Sequence, residues 1–291
     1  MIMKKVLLLT TICLLITTSE VAATTLVIKD EHVSETLVRE HFRIQTAAPQ
    51  FINRNKLELL FDRIEEQIFK APKNAYINDH GQIIPAKPGV ALNRYRLYQH
   101  FHDYYYSNVS LQVDVPLRNI YPRVDGELLS EIRNFELGSY MTYFRQGNKE
   151  RSHNIELAAE AINNHVVFPG EQFSFNNVVG KRTKERGYKR APVIVKGELS
   201  EDIGGGICQV SSTLFNAVSL DGIKIVERYS HSRKVPYVPP GKDATVSWWG
   251  PDFVFVNEYN HPILIRAKAL DGKVIIRIFS SESVEIKSKR N

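Results

Sequence analysis

The first regular hydrophobic pattern along the chain predicts an amphipathic helix. Apolar side chains spaced three or four residues apart, as one helical face requires, are Leu57, Leu60, Phe61, Ile64 and Ile68. Asn55, with Glu58 three residues later, is the predicted capping pair at the start of this helix. A second helix is predicted around Leu97, Phe101 and Tyr104.

A hairpin and a strand complete this first region. Residues 75–85 contain Gly81 between two short apolar segments, which predicts a tight turn. Alternating apolar and polar residues between Val109 and Val115 predict a half-buried strand. Together these elements predict a small α+β domain at residues 34–123.

The second region, residues 139–280, is richer in strand patterns. Its clearest feature is a hairpin formed by residues 263–270 and 273–279. These segments flank Asp271-Gly272, a pair that suits a two-residue turn with positive φ. Short apolar segments and fewer helical patterns precede the hairpin, so this domain is predicted to be β-rich.

Residues 125–148 contain three glycines and are expected to connect the two regions. The predicted fold class is therefore α+β, with a small N-terminal α+β domain followed by a β-rich α+β domain. The apolar fraction of 43% is ordinary for a globular chain that buries a sizeable core.

The N-terminus has the pattern of a secretory signal peptide at residues 1–23. Two lysines precede an apolar run at residues 6–16, and residues 21–23 supply the small side chains that cleavage needs. The run is shorter than a transmembrane helix. The protein is therefore expected to be exported, and either secreted or held by an uncleaved signal anchor. Cys13 lies in this segment, which leaves Cys208 as the single mature thiol.

The net charge of +6 bears on the partners of the protein. Outside the cell membrane, a basic surface is better matched to anionic wall polymers than to nucleic acid. The sequence also lacks the interleaved aromatic and basic residues of RNA-binding proteins. Anionic wall polymers are thus an expected partner and nucleic acid is not, while no oligomeric state is predicted.

The most informative motif is Gly204-Gly205-Gly206, followed by Cys208 at the start of a predicted helix. Partial positive charge and unpaired N–H groups at a helix N-terminus favour a thiolate over a thiol. Glycines let the backbone approach a substrate and can turn N–H groups toward a developing oxyanion. This arrangement is typical of an acyl-transfer site. The alternative is a shielded structural cysteine.

Six separated blocks of sequence support a more specific hypothesis. They are Pro169-Gly170-Glu171-Gln172-Phe173-Ser174-Phe175-Asn176, Gly187-Tyr188, Gly204 to Thr213, His231-Ser232-Arg233, Gly241-Lys242-Asp243-Ala244 and Pro251-Asp252-Phe253. Together they resemble the VanW domain, which is named from a glycopeptide-resistance cluster and occurs in bacterial cell-envelope proteins. The preceding region, with Pro72-Lys73-Asn74-Ala75 before Gly81, resembles the peptidoglycan-binding domain that often precedes VanW.

The resemblance to VanW implies a chemistry. Some VanW-domain proteins act as L,D-transpeptidases, which take an acyl group from a tetrapeptide stem onto a cysteine and pass it to an amine. The family cysteine corresponds to Cys208 and the family histidine to His231. His231 also follows a predicted strand and opens a loop, where a general base for Cys208 can lie. A histidine that only caps this loop is the alternative.

A third residue is needed to orient His231, and two aspartates compete for the role. Asp243 lies in a Gly-Lys-Asp-Ala turn and Asp252 follows Gly-Pro, so either could simply bond its own backbone. We predict Asp243. The predicted substrate-binding residues are Gly205, Gly206, Gln209 and Arg233.

Arg233 would hold a stem-peptide carboxylate in its two-pronged guanidinium. The scattered histidines give no paired ligand spacing, and the glycine triplet lacks phosphate-loop spacing, so neither a metal nor a cofactor is predicted. The predicted function is cysteine-dependent, L,D-transpeptidase-like acyl transfer on peptidoglycan stem peptides. The alternative is a non-catalytic peptidoglycan-binding protein of the glycopeptide response.

Overall fold

The structure is a computed structural model of the 291-residue chain, and it describes residues 23–45, 48, 50–107, 109–195 and 198–286. The predicted signal peptide, with Cys13, lies outside the described residues except for Ala23. No helix within the described ranges combines the length and apolar character that crossing a membrane requires.

Short helices and strands alternate along the chain. The helices are α1 (Arg54–Ile68), α2 (Arg94–Ser107), α3 (Gly126–Ile132), α4 (Lys149–Ile162), α5 (Phe175–Val179) and α6 (Ile207–Ala217), with a 3-10 helix at Arg39–Phe42. The strands are β1 (Thr25–Lys29), β2 (Ser34–Val38), β3 (Tyr76–Ile77), β4 (Ile83–Ile84), β5 (Gly89–Leu92), β6 (Leu111–Asp114), β7 (Leu117–Ile120), β8 (Phe135–Tyr143), β9 (His165–Val167), β10 (Gln172–Ser174), β11 (Arg190–Val195), β12 (Glu198–Ile203), β13 (Ile223–Glu227), β14 (Val254–Asn257), β15 (Ile263–Leu270) and β16 (Lys273–Ser280).

The chain divides into two compact units, each built from two separate stretches of sequence. Unit 1 comprises Met1–Ala71 and Gly89–Ile120, and unit 2 comprises Pro72–Pro88 and Tyr121–Asn291. The mixture of helices with small, mainly antiparallel sheets confirms the predicted α+β class. The unit boundaries differ from the predicted domain at 34–123, because the β3–β4 hairpin belongs to unit 2.

Unit 1 is built on the three-stranded sheet β2-β1-β6. The predicted apolar faces of α1 and α2 are buried and share one core with β1 and β2. In that core the ring of Phe101 meets Phe42 edge-on, with centroids 4.9 Å apart. The N-cap of α1 is Asn53 rather than the predicted Asn55. The Asn53 side chain accepts from the backbone N–H of Lys56, so the helix begins two residues earlier than the capping pattern indicated.

Unit 2 contains the four-stranded antiparallel sheet β8-β16-β15-β9 and the three-stranded sheet β10-β14-β13. Helices α4 and α6 pack against the four-stranded sheet and bury the largest apolar core of the unit. The predicted β15–β16 hairpin is confirmed. Asp271 and Gly272 both have positive φ, at 52° and 73°, as a two-residue turn requires.

Residues 125–148 are not the simple connection that their glycines suggested, because they contain α3 and β8. Asp125 starts α3, and its side chain accepts from the backbone N–H of Leu128 at 2.8 Å. Gly138 lies inside β8, where a Cβ would come within 2.9 Å of the carbonyl oxygen of Ala217. This glycine therefore permits close packing against the end of α6 rather than a turn.

The predicted hairpin at residues 75–85 forms as β3–β4 but is bound to unit 2. The backbone N–H of Ala75 donates to the carbonyl oxygen of Val124 at 2.9 Å. The backbone N–H of Ile77 donates to the side-chain oxygen of Asn164, also at 2.9 Å. Both hairpin residues are buried in a core that includes Leu264. The hairpin therefore completes unit 2.

Candidate functional site

Cys208 lies in the first turn of α6, as its position after the glycine run predicts. Gly206 is the N-cap and has a left-handed φ of 107°, which glycine adopts without strain. A Cβ on Gly205 would lie 2.5 Å from the carbonyl oxygen of Ala191, and one on Gly206 would lie 2.9 Å from Cγ of Arg151. The two glycines thus let α6 start in close contact with β11 and α4. Their contact with substrate stays a prediction.

The thiol of Cys208 is half-buried and hydrogen-bonded to the imidazole of His231. It also lies 3.4 Å from the carbonyl oxygen of Val246. Burial acts to raise the pKa of Cys208, but the hydrogen bond and charge of His231 outweigh burial and lower this pKa. Burial acts to lower the pKa of His231, whereas its hydrogen bonds to Cys208 and Asp243 raise it. The site therefore favours a thiolate facing an imidazolium.

Asp243 holds His231 through one carboxylate oxygen. The backbone nitrogen and Nδ1 of His231 both lie 2.6 Å from Oδ2 of Asp243. Because Nδ1 faces the carboxylate, Nε2 is the nitrogen left to face Cys208. Burial acts to raise the pKa of Asp243, but the hydrogen bonds from His231 prevail and lower it. Cys208, His231 and Asp243 thus form a connected triad whose catalytic role stays a prediction.

Asp252, the alternative orienting residue, belongs to a different hydrogen-bond set. Its Oδ2 accepts from the hydroxyl of Ser174 at 2.5 Å, and its Oδ1 accepts from the backbone N–H of Asn176 at 2.9 Å. These bonds fix the junction between β10 and α5. The structure therefore brings Asp243, and not Asp252, to His231.

Arg228 braces the turn that carries Asp243. Its Nε donates to the carbonyl oxygen of Asp243 at 2.7 Å, and its Nη2 donates to that of Gly241 at 2.8 Å. Nη2 also lies 3.5 Å from Oδ1 of Asp243. Sequence analysis missed this residue. Its position directly after β13 and three residues before His231 was the one indication in the sequence that it lies near the site.

The polar residues after Cys208 also fix the Asp243 turn. The hydroxyl of Ser211 donates to the carbonyl oxygen of Ala244 at 2.6 Å. The hydroxyl of Ser212 accepts from the backbone N–H of Ala244 at 2.9 Å and donates to the carbonyl oxygen of Cys208 at 2.7 Å. Both serines are fully buried. Helix α6 therefore carries the thiol and also anchors the neighbour of Asp243.

The two predicted substrate-binding side chains, Gln209 and Arg233, lie in different environments. Gln209 is buried and donates to the hydroxyl of Thr142 and the carbonyl oxygen of Tyr143, both at 3.0 Å. It also accepts from Arg151 at 2.8 Å, so it links α6 to β8 and α4. Arg233 is exposed in the loop after β13. For both residues, substrate binding stays a prediction.

Two arginines bury their guanidinium groups near Cys208. Burial lowers the pKa of Arg151, whose charge interacts with Tyr237 and Cys208. Burial likewise lowers the pKa of Arg182, whose charge also interacts with Cys208. Nη1 and Nη2 of Arg182 are buried, and neither has a hydrogen-bond partner among the described residues. Two cations beside a thiol add to the stability of its thiolate.

Tyr237 closes another side of the site. Its ring meets the imidazole of His231 edge-on, with centroids 6.4 Å apart, and its hydroxyl hydrogen-bonds Ser212. Burial and the charge of Cys208 raise the pKa of Tyr237, so the phenol stays protonated. Within the described ranges, no group of three or more His, Cys, Asp or Glu side chains is placed to hold a metal ion.

Comparison with known proteins identifies the family. A family model described as VanW like protein matches residues 150–279. The chain is 49% identical over 284 residues to YoaR of Bacillus subtilis, covering 98% of this chain and 94% of YoaR. The chain belongs to the VanW family. It is also 32% identical over 134 residues to the vancomycin B-type resistance protein VanW of Enterococcus faecalis, covering 44% of this chain and 49% of that protein.

The segment that the family model matches, residues 150–279, lies within residues 139–280, where the sequence blocks predicted a VanW-like domain. It lies entirely in unit 2 and contains the complete triad together with Arg151 and Arg182. No solved structure matches the chain.

Proposed function

We propose that this protein is an exported cell-envelope enzyme that transfers acyl groups of peptidoglycan stem peptides through Cys208, in the manner of an L,D-transpeptidase. The observation that carries the proposal is the triad, in which His231 joins the thiol of Cys208 to the carboxylate of Asp243. Cysteine acyl transferases require these three parts: a nucleophile, a base and a group that orients the base.

In the proposed reaction, the thiolate of Cys208 attacks the carbonyl carbon of the amide bond that precedes the terminal amino acid of the stem. A C–S bond forms, and the N-terminus of α6 favours the resulting oxyanion. When the C–N bond breaks, Nε2 of His231 gives its proton to the leaving amine. The products of this half-reaction are a thioester on Cys208 and a free amino acid.

The second half-reaction transfers the acyl group. An acceptor amine attacks the thioester, and neutral His231 takes the proton that this amine loses. The new C–N bond forms as the C–S bond breaks, and Cys208 leaves as a thiolate. Asp243 keeps Nδ1 of His231 as the carboxylate-bound nitrogen in both halves, so the same Nε2 gives and takes the proton.

A second function is favoured by one comparison. The relative from Enterococcus faecalis is named a vancomycin B-type resistance protein, which supports a role in the glycopeptide response. The alternative function is therefore peptidoglycan binding without catalysis as part of that response. In that case Cys208 would be a structural thiol. Reactivity separates the two functions, because a thiolate beside an imidazolium is alkylated rapidly near neutral pH and an inert buried thiol is not.

The proposed location and partners complete this function. Residues 1–23 would direct export, with the mature protein secreted or anchored at the membrane. Unit 1 would bind peptidoglycan, and the basic surface would add attraction to anionic wall polymers. Sacculus binding by the full chain, measured at two salt concentrations, tests the charge contribution because exposed charges are screened by salt.

The decisive experiment incubates the purified protein with muropeptides and identifies the products by mass spectrometry. Cys208→Ala should reduce stem-peptide transfer by about 10³-fold or more, because no other group in the triad can carry the acyl chain. The melting temperature should change little, since the side chain removed is small. Transfer by the Ala variant at the wild-type rate would disprove the cysteine mechanism.

A further inference from the structure

Among the described residues, Arg182 is the charged residue whose buried side-chain atoms have no hydrogen-bond partner. Both Nη1 and Nη2 of its guanidinium are buried, and neither meets a hydrogen-bond acceptor in the part of the chain that the structure describes. A buried guanidinium offers several N–H groups, and native proteins almost always pair such groups. Two buried nitrogens whose N–H groups have no acceptor therefore require a specific explanation.

The position of Arg182 connects it to the thiol. Its Cβ and Cγ lie so close to Gly204 that a Cβ on this glycine would be 3.1 Å from each. Its guanidinium carbon lies 5.9 Å from the ring centroid of Phe175, and its charge interacts with Cys208. The stem of Arg182 thus packs against Gly204, where the glycine run that leads into α6 begins.

A neighbouring carboxylate does not neutralise this guanidinium by hydrogen bonding. Asp252 is near enough to interact electrostatically with Arg182. However, its two oxygens already accept from Ser174, Asn176 and Phe253. Asp252 therefore leaves the hydrogen bonds of Nη1 and Nη2 of Arg182 unused.

We propose that Arg182 binds the α-carboxylate of the acyl donor, on the terminal amino acid that leaves when Cys208 attacks. This inference rests on the proposed function. A guanidinium binds a carboxylate through two parallel hydrogen bonds, which matches the two unpaired nitrogens. Because these nitrogens are buried, the group that reaches them must be a chain end. The terminal carboxylate lies one residue beyond the scissile bond, next to the thiol.

The assignment separates Arg182 from Arg233, which the sequence suggested for the same carboxylate. Arg233 is exposed, and water competes there for its hydrogen bonds. At Arg182 the bound carboxylate would replace no protein partner and would meet little water. Arg182 therefore sets the specificity of the site for donors with a free C-terminus.

The first test compares two tetrapeptide muropeptides that differ only in a terminal carboxylate or carboxamide. The wild-type protein should use the free acid about 10 to 100 times faster, the range expected for hydrogen bonds to a charged group. Arg182→Gln should abolish this preference, and Arg182→Lys should keep part of it. Lys181→Gln, which removes an exposed charge from the adjacent residue, should keep all of it. Equal preference in wild type and Arg182→Gln overturns the proposal.

A second test does not need transfer activity. Iodoacetate carries a carboxylate and iodoacetamide does not, so the ratio of their alkylation rates at Cys208 reports the anion site. Arg182→Gln should lower this ratio about tenfold while changing the iodoacetamide rate less than about threefold. If both rates fall equally, Arg182 only stabilises the thiolate and the proposal is wrong. If the ratio falls but wild type transfers no stem peptide, the anion site stands and the proposed function fails.

Stability gives an independent readout. An unpaired buried charge destabilises the fold, so Arg182→Gln should raise the melting temperature by about 2 to 4 °C. An arginine retained for structure would show the opposite change. A fall in melting temperature, together with an unchanged ratio of alkylation rates, would therefore assign Arg182 to the fold and overturn the proposal.

Discussion

The interiors of the two units differ in their polar content. The core of unit 1 is apolar apart from the hydroxyls of its tyrosines, such as Tyr104, which donates to the carbonyl oxygens of Thr24 and Leu37. Among the described residues, twelve buried polar residues belong to unit 2 and none to unit 1. Five of the twelve lie on α6 or the turn it anchors: Gln209, Ser211, Ser212, Thr213 and Asp243.

One arginine from each unit shows the same difference in how polar groups are paired. In unit 1, the half-buried Arg94 lies against the carboxylates of Glu58, Asp62 and Glu65. In unit 2, the buried guanidinium nitrogens Nη1 and Nη2 of Arg182 have no hydrogen-bond partner within the described ranges. Buried polar groups lower stability unless they are fully hydrogen-bonded. The comparison teaches that unit 1 is organised for stability, whereas the interior of unit 2 is organised to position a thiol.

The largest effect on this thiol should come from His231. In His231→Ala, the hydrogen bond and charge that lower the pKa of Cys208 are lost, while burial still raises it. The pH profile of alkylation should move to higher pH, and the rate at pH 7 should fall about tenfold or more. Stopped-flow alkylation across pH measures this change. If the pH profile of alkylation did not move, the contrast between the two units would fail, because the polar interior of unit 2 would then not activate Cys208.

Asp243→Asn should act next most strongly. In the folded protein the pKa of Asp243 is lowered from its ordinary value of 3.8. The ionised carboxylate therefore stabilises the fold above pH 3.8, and this stabilisation is lost as the pH falls through the pKa of the folded state. The variant should lose about 1 to 3 kcal/mol at pH 7 and progressively less toward pH 3. Thermal melts at several pH values check this dependence.

The matched control is Asp252→Asn, a change in an aspartate that also accepts several hydrogen bonds. Asp243→Asn should slow transfer about 10²-fold or more, because the tautomer of His231 is no longer fixed. Asp252→Asn should leave the pH profile of Cys208 alkylation in place. The opposite ranking would give the orienting role to Asp252.

A smaller effect is expected from Ser212→Ala. This change leaves the backbone N–H of Ala244 without its side-chain acceptor, which should cost about 1 to 3 kcal/mol. Alkylation of Cys208 should slow a few-fold as the Asp243 turn loosens. Ser219→Ala, on the exposed segment after the same helix, should change neither quantity. If both variants changed stability and alkylation rate equally, the buried polar residues would not be what positions the thiol of Cys208.

The smallest effect on the thiol should come from the core of unit 1. Phe101→Leu leaves a gap beside Phe42 and should lower stability by about 1 to 2 kcal/mol. The alkylation profile of Cys208 should remain that of the wild type. A shift of that profile would show that the stability of unit 1 controls the site, and the contrast between the units would lose its meaning.

Much of the local structure could be predicted from sequence, because its signals are local. The apolar faces of α1 and α2, the turn at Asp271-Gly272 and the helical start at Cys208 all depend on residues a few positions apart. The prediction that residues 125–148 form a simple connection was wrong. Gly138 packs closely against Ala217, which is distant in sequence, so the role of this glycine could not be read from its neighbours.

The triad residues could be chosen from motif blocks, but the surroundings of the thiol could not. Arg151 reaches Gln209 across 58 positions, and Ser211 reaches Ala244 across 33. Arginines and serines are common on helix surfaces, so their burial depends on tertiary packing alone. Arg182 was missed for the same reason, since an unpaired guanidinium can be recognised only where its surroundings are known.

The interleaving of the two units has a consequence for how the chain folds. The chain passes between units at 71/72, 88/89 and 120/121, and the β3–β4 hairpin meets Asn164 across 87 positions. The hairpin also shares a core with Leu264, close to the C-terminal end of the described chain. Contacts this distant in sequence close late and slow folding. Unit 2, which holds Cys208, therefore cannot be completed until nearly the whole chain is available to fold.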